Sequence, residues 1–220
     1  MAAREEIFEP TVEQTYEFFK YLRSEHREAF IDLLNSIRFA ELRGAGYLSY
    51  LAEVLDDPSM MAKMTKHAAD EGKHAHFVTL MIRREGGQPR SMVHQNLFRA
   101  MSEARGQRGD GGPPLETCPP REELVEVFAS MQAIERSAKG AFQAFEKLYA
   151  DDEVVLSMVK EVLRDEEFHI GWISKVLDRW RADGLGEQVD DALERGRRAL
   201  AEARDRSIRA QIEQATGAAS

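Results

Sequence analysis

Residues 70–74 read DEGKH and residues 165–169 read DEEFH, so the pattern Asp-Glu-x-x-His occurs twice in this chain of 220 residues. In each copy the Glu and the His are three positions apart, and residues with this spacing lie on the same face of an α-helix. One such pair is common on solvated helices and carries little information. The repeat becomes informative through the residues around it.

A further glutamate precedes each copy at nearly the same distance. Glu41 lies 30 residues before Glu71, and Glu135 lies 31 residues before Glu166. The chain therefore contains the same arrangement of residues twice, with a leading glutamate in one segment and Asp-Glu-x-x-His in the next. This internal repeat predicts two similar helical hairpins.

The hydrophobic pattern predicts an all-α protein. Between sparse glycines and prolines, apolar residues recur at steps of three and four, which is typical of helix faces and not of strands. We expect a four-helix bundle made of two hairpins joined by a long crossover, with extra N- and C-terminal helical segments. The boundaries predicted within one domain, residues 1–220, are a core bundle at about 30–182, an N-terminal extension at 1–29 with a helix at 11–22, a crossover at 85–120 with a short helix at 92–104, and a charged C-terminal helix at 187–214. The arginines and glutamates of this last helix are expected to be solvated, and both terminal segments are expected to be packing or assembly elements.

Each predicted helix of the core carries an apolar stripe that Glu or His interrupts at one level. Burying unpaired carboxylates in such stripes is unfavourable by several kcal/mol unless a positive charge compensates them. Lys and Arg are absent from the stripes, whereas two divalent cations would balance four carboxylates beside neutral imidazoles. The sequence therefore predicts a dinuclear metal site in which each Glu-x-x-His holds one ion, with the ligands Glu41, Glu71, His74, Glu135, Glu166 and His169.

An aspartate directly precedes the glutamate of each motif. A metal-bound imidazole needs an acceptor for its second N–H, and a carboxylate is a frequent one, so Asp70 and Asp165 are candidates for that role. The alternative is that both are exposed helix charges paired with Lys66 or Arg164.

Two further features allow more than one interpretation. His67 has Val162 as its counterpart in the second half, and it could gate access, relay protons, add a ligand or act as a hydrogen-bonded core residue. Small residues follow the leading glutamates, at Gly44 and Ala138 among others. They either leave a cavity beside the metals or let helices approach closely.

Composition excludes several classes of function. The formal net charge of −9 disfavours nucleic acids and acidic membranes as partners. The one cysteine, Cys118, cannot form a disulfide framework or a Cys-based metal cluster within the chain. No segment reads as a signal peptide or a membrane span, so we expect a soluble, cytoplasmic protein.

The repeated pattern Glu, then Asp-Glu-x-x-His, on four helices resembles the ferritin-like di-iron carboxylate superfamily. That superfamily includes bacterioferritins, rubrerythrins, manganese catalases and di-iron oxygenases, and the resemblance covers about residues 30–180. It implies two iron ions, with manganese as the alternative, held by the six ligands named above. The fold and ligands alone do not select a reaction.

We expect an O2-dependent oxidase or oxygenase, such as a monooxygenase, that acts on a small organic substrate. The sequence shows neither paired Cys-x-x-Cys motifs nor a glycine-rich nucleotide fingerprint, so an external electron donor is expected. Alternatives from other classes are a ferroxidase or iron-storage subunit and a rubrerythrin-like peroxide reductase. A homodimer is one option for the assembly, and a closed cage would favour storage.

Overall fold

The computed structural model describes residues 9–92 and 117–216, and within these ranges the chain forms helices and no β-strand. The predicted all-α class is confirmed. In chain order the helices are α1 (Val12–Glu25), α2 (Arg27–Val54), α3 (Pro58–Arg84), α4 (Arg121–Leu148), α5 (Glu153–Trp180) and α6 (Gly186–Thr216).

Aspartate caps set the start of the second helix of each hairpin. The Asp57 side chain accepts hydrogen bonds from the backbone N–H groups of Ser59 (2.8 Å) and Met60 (3.0 Å) in the first turn of α3. Pro58 fills the first helical position, where no N–H is needed. Asp152 likewise accepts a backbone N–H in the first turn of α5. The two helices that carry the motifs therefore begin with the same kind of aspartate N-cap.

The hairpins are α2 with α3 and α4 with α5, and α3 also packs against α5. The two large parts of the apolar core lie on either side of the level at which Glu and His side chains interrupt the apolar stripes. One part contains Leu48, Met64, Phe128 and Ile173, and the other contains Phe30, Val78, Phe142 and Val159. The polar side chains of the repeated motifs thus lie between two apolar layers.

The predicted crossover at 85–120 is described only at its ends. α3 ends at Arg84, and Gly86 then turns the chain with a φ of 72°, a value that favours glycine. The structure does not describe residues 93–116. All of the short helix expected at 92–104 except its first residue therefore lies outside the described residues.

The C-terminal helix packs against the bundle, which is one of the two roles considered for the terminal segments. α5 ends at Trp180, and a kink at Arg181–Leu185, where Gly184 has a φ of 95°, leads into α6. α6 packs along α4 through Val189, Ala192, Ala199, Leu200 and Ala203, which are all buried. Most of these buried residues are alanines, whose small apolar surface is hidden among charged neighbours in the sequence.

The N-terminal helix predicted at 11–22 is present as α1 and runs to Glu25. Phe19 and Leu22 of α1 are buried, and the Phe19 ring stacks on Phe145 of α4 with centroids 4.6 Å apart. α1 and α6 therefore cover different parts of α4. In the described residues, no helix is both long and apolar enough to cross a membrane.

Candidate metal centre

The six predicted ligands meet at one level of the bundle. Glu41 comes from α2, Glu71 and His74 from α3, Glu135 from α4, and Glu166 and His169 from α5. All six are buried, and both histidines are fully enclosed at 0% exposure. Four helices therefore direct four carboxylates and two imidazoles into a space that water does not reach freely.

His74 marks one side of this cluster. Its Nδ1 atom lies 3.5 Å from Oε1 of Glu166, 3.8 Å from Oε2 of Glu41 and 4.0 Å from Oε1 of Glu71. Ligand atoms bound to one ion at about 2.1 Å lie roughly 3–4 Å from one another. These three oxygens lie at this spacing from Nδ1 of His74, and we call the four atoms the His74 subsite.

His169 marks the other side. Its Nδ1 atom lies 3.4 Å from Oε2 of Glu135, 3.5 Å from Oε1 of Glu71 and 4.0 Å from Oε2 of Glu166. These atoms form the His169 subsite. Glu71 reaches both histidines, and Glu166 presents a different oxygen to each.

The sharing differs in detail from the sequence expectation that each Glu-x-x-His holds its own ion. Glu71 lies closer to His169 than to the histidine of its own motif, and Glu166 lies closer to His74. The reason is that α3 and α5 face each other, so a carboxylate reaches across to the partner helix as readily as along its own. Glu71 and Glu166 therefore each lie near both histidines, whereas Glu41 lies near His74 and Glu135 near His169.

His67 is the residue whose role the sequence left open. It is fully buried, and its Nε2 atom lies 3.1 Å from Oε1 of Glu71 and 3.1 Å from Oε1 of Glu135. Its ring stacks on that of His169 with centroids 3.6 Å apart. His67, Glu71, Glu135 and His169 offer ligand atoms that all lie within 4.8 Å of one another. The only signal in the sequence was its place on the stripe, one turn before Glu71.

Several buried polar atoms of the cluster have no hydrogen-bond partner. They are Nδ1 of His67, His74 and His169 and both carboxylate oxygens of Glu166. Leaving such atoms unsatisfied costs about 1–3 kcal/mol each, and more when the group is charged. Bound cations would satisfy Nδ1 of His74, Nδ1 of His169 and both oxygens of Glu166, because a lone pair on each of these atoms is what a metal ion requires. The residues therefore fit a metal centre.

The charges of the cluster lead to the same conclusion. Within the described residues, no lysine or arginine forms an ion pair with any of the four glutamates. Burial, together with the Glu41, Glu135 and Glu166 carboxylates, raises the pKa of Glu71 well above its usual range. Burial and the Glu135 carboxylate do the same to the pKa of Glu166. Without a cation, protons must neutralise these two carboxylates.

The pKa values of Glu135 and His67 are lowered, unlike those of Glu71 and Glu166. Burial favours the neutral form of Glu135, but the adjacent His67 and His169 outweigh it and lower the pKa of this carboxyl. Burial lowers the pKa of His67, against the opposing effect of Glu135. A neutral imidazole at His67 keeps a lone pair, which is the state in which histidine binds metal ions.

Asp70 and Asp165 lie behind the histidines, and each contacts the histidine of the other motif. Nε2 of His169 lies 3.1 Å from Oδ2 of Asp70, and Nε2 of His74 lies 3.3 Å from Oδ2 of Asp165. Both interpretations of these aspartates hold in part, since Asp70 also pairs with Lys66. An ionised Asp can only accept, so each Nε2 is the protonated nitrogen and each Nδ1 lone pair is directed at the cluster.

Lys73, which the sequence analysis did not single out, completes this outer layer. Its Nζ lies 2.6 Å from Oδ2 of Asp165 and 3.6 Å from Oδ1 of Asp70. Burial raises the pKa of Asp165, but hydrogen bonds from Lys73 and His74 outweigh it and lower this pKa. Lys66 and Lys73 pair with the two aspartates, and Lys73 also pairs with Glu161 at 3.1 Å, so these two lysines leave the inner carboxylates uncompensated.

Gly44 is the small residue that lies directly against the cluster. A Cβ atom at this position would lie 3.5 Å from Oε2 of Glu71, whereas a Cβ at Gly46 or Gly140 would meet nothing within 4 Å. Close helix contact therefore does not explain Gly46 or Gly140. At Gly44 the absence of a side chain leaves room beside the Glu71 carboxylate.

Comparisons of the chain with models of protein families, with curated proteins and with solved structures find no significant match. Support for a metal centre therefore comes from the residues themselves. It consists of the spacing of the ligand atoms, the buried atoms without partners and the uncompensated carboxylates.

Proposed function

We propose that this chain is a ferritin-like dinuclear iron protein that uses O2 to oxidise a small organic substrate. The observation that carries the proposal is that four buried carboxylates lie within 4.0 Å of Nδ1 of one or both of two buried histidines, and that none of the four pairs with a lysine or arginine of the described residues. Carboxylate and imidazole ligands together suit iron, with manganese as the alternative. When bound, a pair of ferrous ions supplies two electrons for the reduction of O2.

The residues of the chain have separate tasks in this proposal. Glu41 and Glu135 would each bind one ion, and Glu71 and Glu166 would each bind both ions. Asp70 and Asp165 accept the Nε2–H groups of the histidines and so hold each ring with its Nδ1 lone pair inward. The apolar layers on both sides restrict water, which protects a reactive centre from side reactions.

Two observations favour substrate oxidation over iron storage. Gly44 places no side chain next to the Glu71 carboxylate, where a Cβ would lie 3.5 Å from Oε2, and we propose that substrate approaches the centre from this side. In addition, α1 and α6 of the same chain cover α4, so these parts of the bundle are not free to form the wall of a cage. The electrons for repeated turnover are proposed to come from a separate donor protein.

The test begins with anaerobic addition of ferrous iron to the metal-free protein. We expect two ions per chain, followed by rapid consumption of O2 and oxidation of an added organic substrate without ferric mineral. Glu135→Gln is expected to lose at least one ion. Glu167→Gln is the matched control, because Glu167 is exposed, adjoins Glu166 and only pairs with Lys139 at the surface.

Two outcomes would contradict the proposal. A wild-type protein that binds no metal ion, or binds it equally well after Glu135→Gln, would remove the dinuclear centre. Growth of a ferric mineral inside a large closed assembly would replace substrate oxidation by iron storage.

A further inference from the structure

The two halves of the cluster are not equivalent, and His67 is the reason. The position that corresponds to His67 in the second half is Val162, a buried apolar residue. The internal repeat therefore predicts an apolar residue at position 67 as well. A fully buried histidine in its place, among carboxylates, needs a specific explanation.

A packing role does not account for the contacts of His67. Its Nε2 atom is equally close, at 3.1 Å, to carboxylate oxygens of Glu71 and Glu135, which belong to different hairpins. One N–H can donate to only one of them along a straight line, so this position is better suited to a cation shared with both oxygens. If Nε2 binds the ion, the ring proton lies on Nδ1, which is buried and has no hydrogen-bond partner in the described residues.

We propose that His67 is a seventh protein ligand, bound to the ion of the His169 subsite. The inference rests on the proposed function, because it requires the dinuclear centre. The His169 subsite then contains the imidazoles of His67 and His169 with the terminal carboxylate of Glu135. The His74 subsite contains one imidazole and the terminal carboxylate of Glu41, and the two bridging carboxylates are common to both.

This asymmetry has a consequence for metal selectivity. Imidazole ligands suit later divalent ions such as Fe2+, Co2+ and Zn2+, whereas carboxylates suit Mn2+ and Mg2+. The subsite with two imidazoles therefore binds a later first-row ion more tightly than the subsite with one. We expect Co2+ to fill the His169 subsite first and Mn2+ to be retained longest at the His74 subsite.

The decisive experiment counts coordinated histidines in the Co2+-loaded protein. Protons on imidazole nitrogens of Co2+ ligands have strongly shifted NMR resonances that disappear in D2O. The wild type should show three, one each from His67, His74 and His169. His67→Gln should lose one of them and bind one of its two ions at least about 10-fold more weakly, since loss of even an outer partner of a ligand has an effect of about 10–100-fold.

Control variants separate this role from general effects. His67→Val reproduces the residue at Val162 and should equalise the affinities of the two ions. His76→Gln changes an exposed histidine on the same helix and should leave the three resonances and both affinities unchanged.

The wild type alone can overturn the inference, whether or not the variants fold. Two bound Co2+ ions with only two shifted imidazole resonances would exclude His67 as a ligand and leave the dinuclear centre intact. Failure of the wild type to bind any Co2+ or Fe2+ would instead remove the proposed function, and this inference with it.

Discussion

Asp70 of the first hairpin accepts the Nε2–H of His169 in the second hairpin, at 3.1 Å across 99 residues of sequence. The reciprocal contact joins His74 to Asp165 at 3.3 Å. The aspartate of each motif therefore accepts a hydrogen bond from the histidine of the other motif. The two hairpins are interlocked at the centre, so the position of either histidine depends on both.

Replacing either aspartate should weaken metal binding without removing a ligand. Asp70→Asn introduces an amide that can donate, which allows the His169 ring to adopt the wrong tautomer or to rotate. We expect the affinity of the His169 subsite for Co2+ to fall by about 10–100-fold, measured by calorimetric titration. Asp178→Asn, at an exposed position on the same helix as Asp165, is the control. Equal affinities for Asp70→Asn and the wild type would contradict the supporting role.

Bridging and terminal glutamates should differ in how many ions they affect. Each oxygen of Glu166 faces a different histidine, whereas Glu41 approaches only His74 among the histidines. We expect Glu166→Gln to weaken both ions and Glu41→Gln to weaken only the ion of the His74 subsite. Metal analysis after equilibrium dialysis distinguishes the two results. If both variants lose the same number of ions, the assignment of Glu166 as a bridge is wrong.

Much of this centre could be predicted because helix periodicity is a local property. The spacing of Glu41, Glu71, Glu135 and Glu166 on apolar stripes follows from steps of three and four, and the structure places each of them within 4.0 Å of Nδ1 of His74 or His169. The aspartate caps at Asp57 and Asp152 are equally local.

Other features depend on which distant segments pack together, and spacing along the chain does not predict this. The sharing of Glu71 and Glu166 between the histidines depends on the distance between α3 and α5. The role of His67 depends on Glu135 of the other hairpin, 68 residues away. The helix against which α6 packs could not be predicted, because alanines such as Ala199 and Ala203 have too little apolar surface to form a visible stripe.

The stabilisation that metal ions give to the fold should grow as pH rises. The pKa values of Glu71 and Glu166 are raised in the metal-free fold, so both groups contribute stability below their unfolded pKa, which is near 4.5, and lose it as pH rises through the folded value. Bound cations neutralise the ionised carboxylates and remove this loss. Glu135 has a lowered pKa and changes stability only on the acid side, as pH falls through its folded value.

Thermal unfolding at about pH 5.5 and pH 7.5, with and without Mn2+, measures this effect. The metal-free Tm should fall over this interval relative to the Mn2+-loaded Tm. Glu71→Gln should reduce the fall, because a neutral amide replaces one of the two groups responsible. A difference in Tm that does not change with pH would contradict the assignment.

Two glycines on α2 should respond differently to substitution. A Cβ at Gly46 meets nothing within 4 Å, so Gly46→Ala should raise the free energy of unfolding by up to about 1 kcal/mol through helix propensity alone. Gly44→Leu should place a side chain against Glu71, whose Oε2 atom would already lie 3.5 Å from the new Cβ. We expect that variant to lose metal affinity at both subsites, since Glu71 serves both. Metal binding by Gly44→Leu that equals that of Gly46→Leu would show that the space beside Glu71 is not limiting.

The contact between α6 and α4 can be tested at Gly196. A Cβ at this position would lie 3.2 Å from the carbonyl oxygen of Ala129 and 3.3 Å from Cα of Ser130, and backbone atoms cannot move aside as a flexible side chain can. Gly196→Val should therefore destabilise the protein by about 1–3 kcal/mol, as overpacking of a close contact does. Gly186→Val is the control, because a Cβ there meets nothing within 4 Å. If α6 were merely a solvated extension, both variants would unfold at the same denaturant concentration as the wild type.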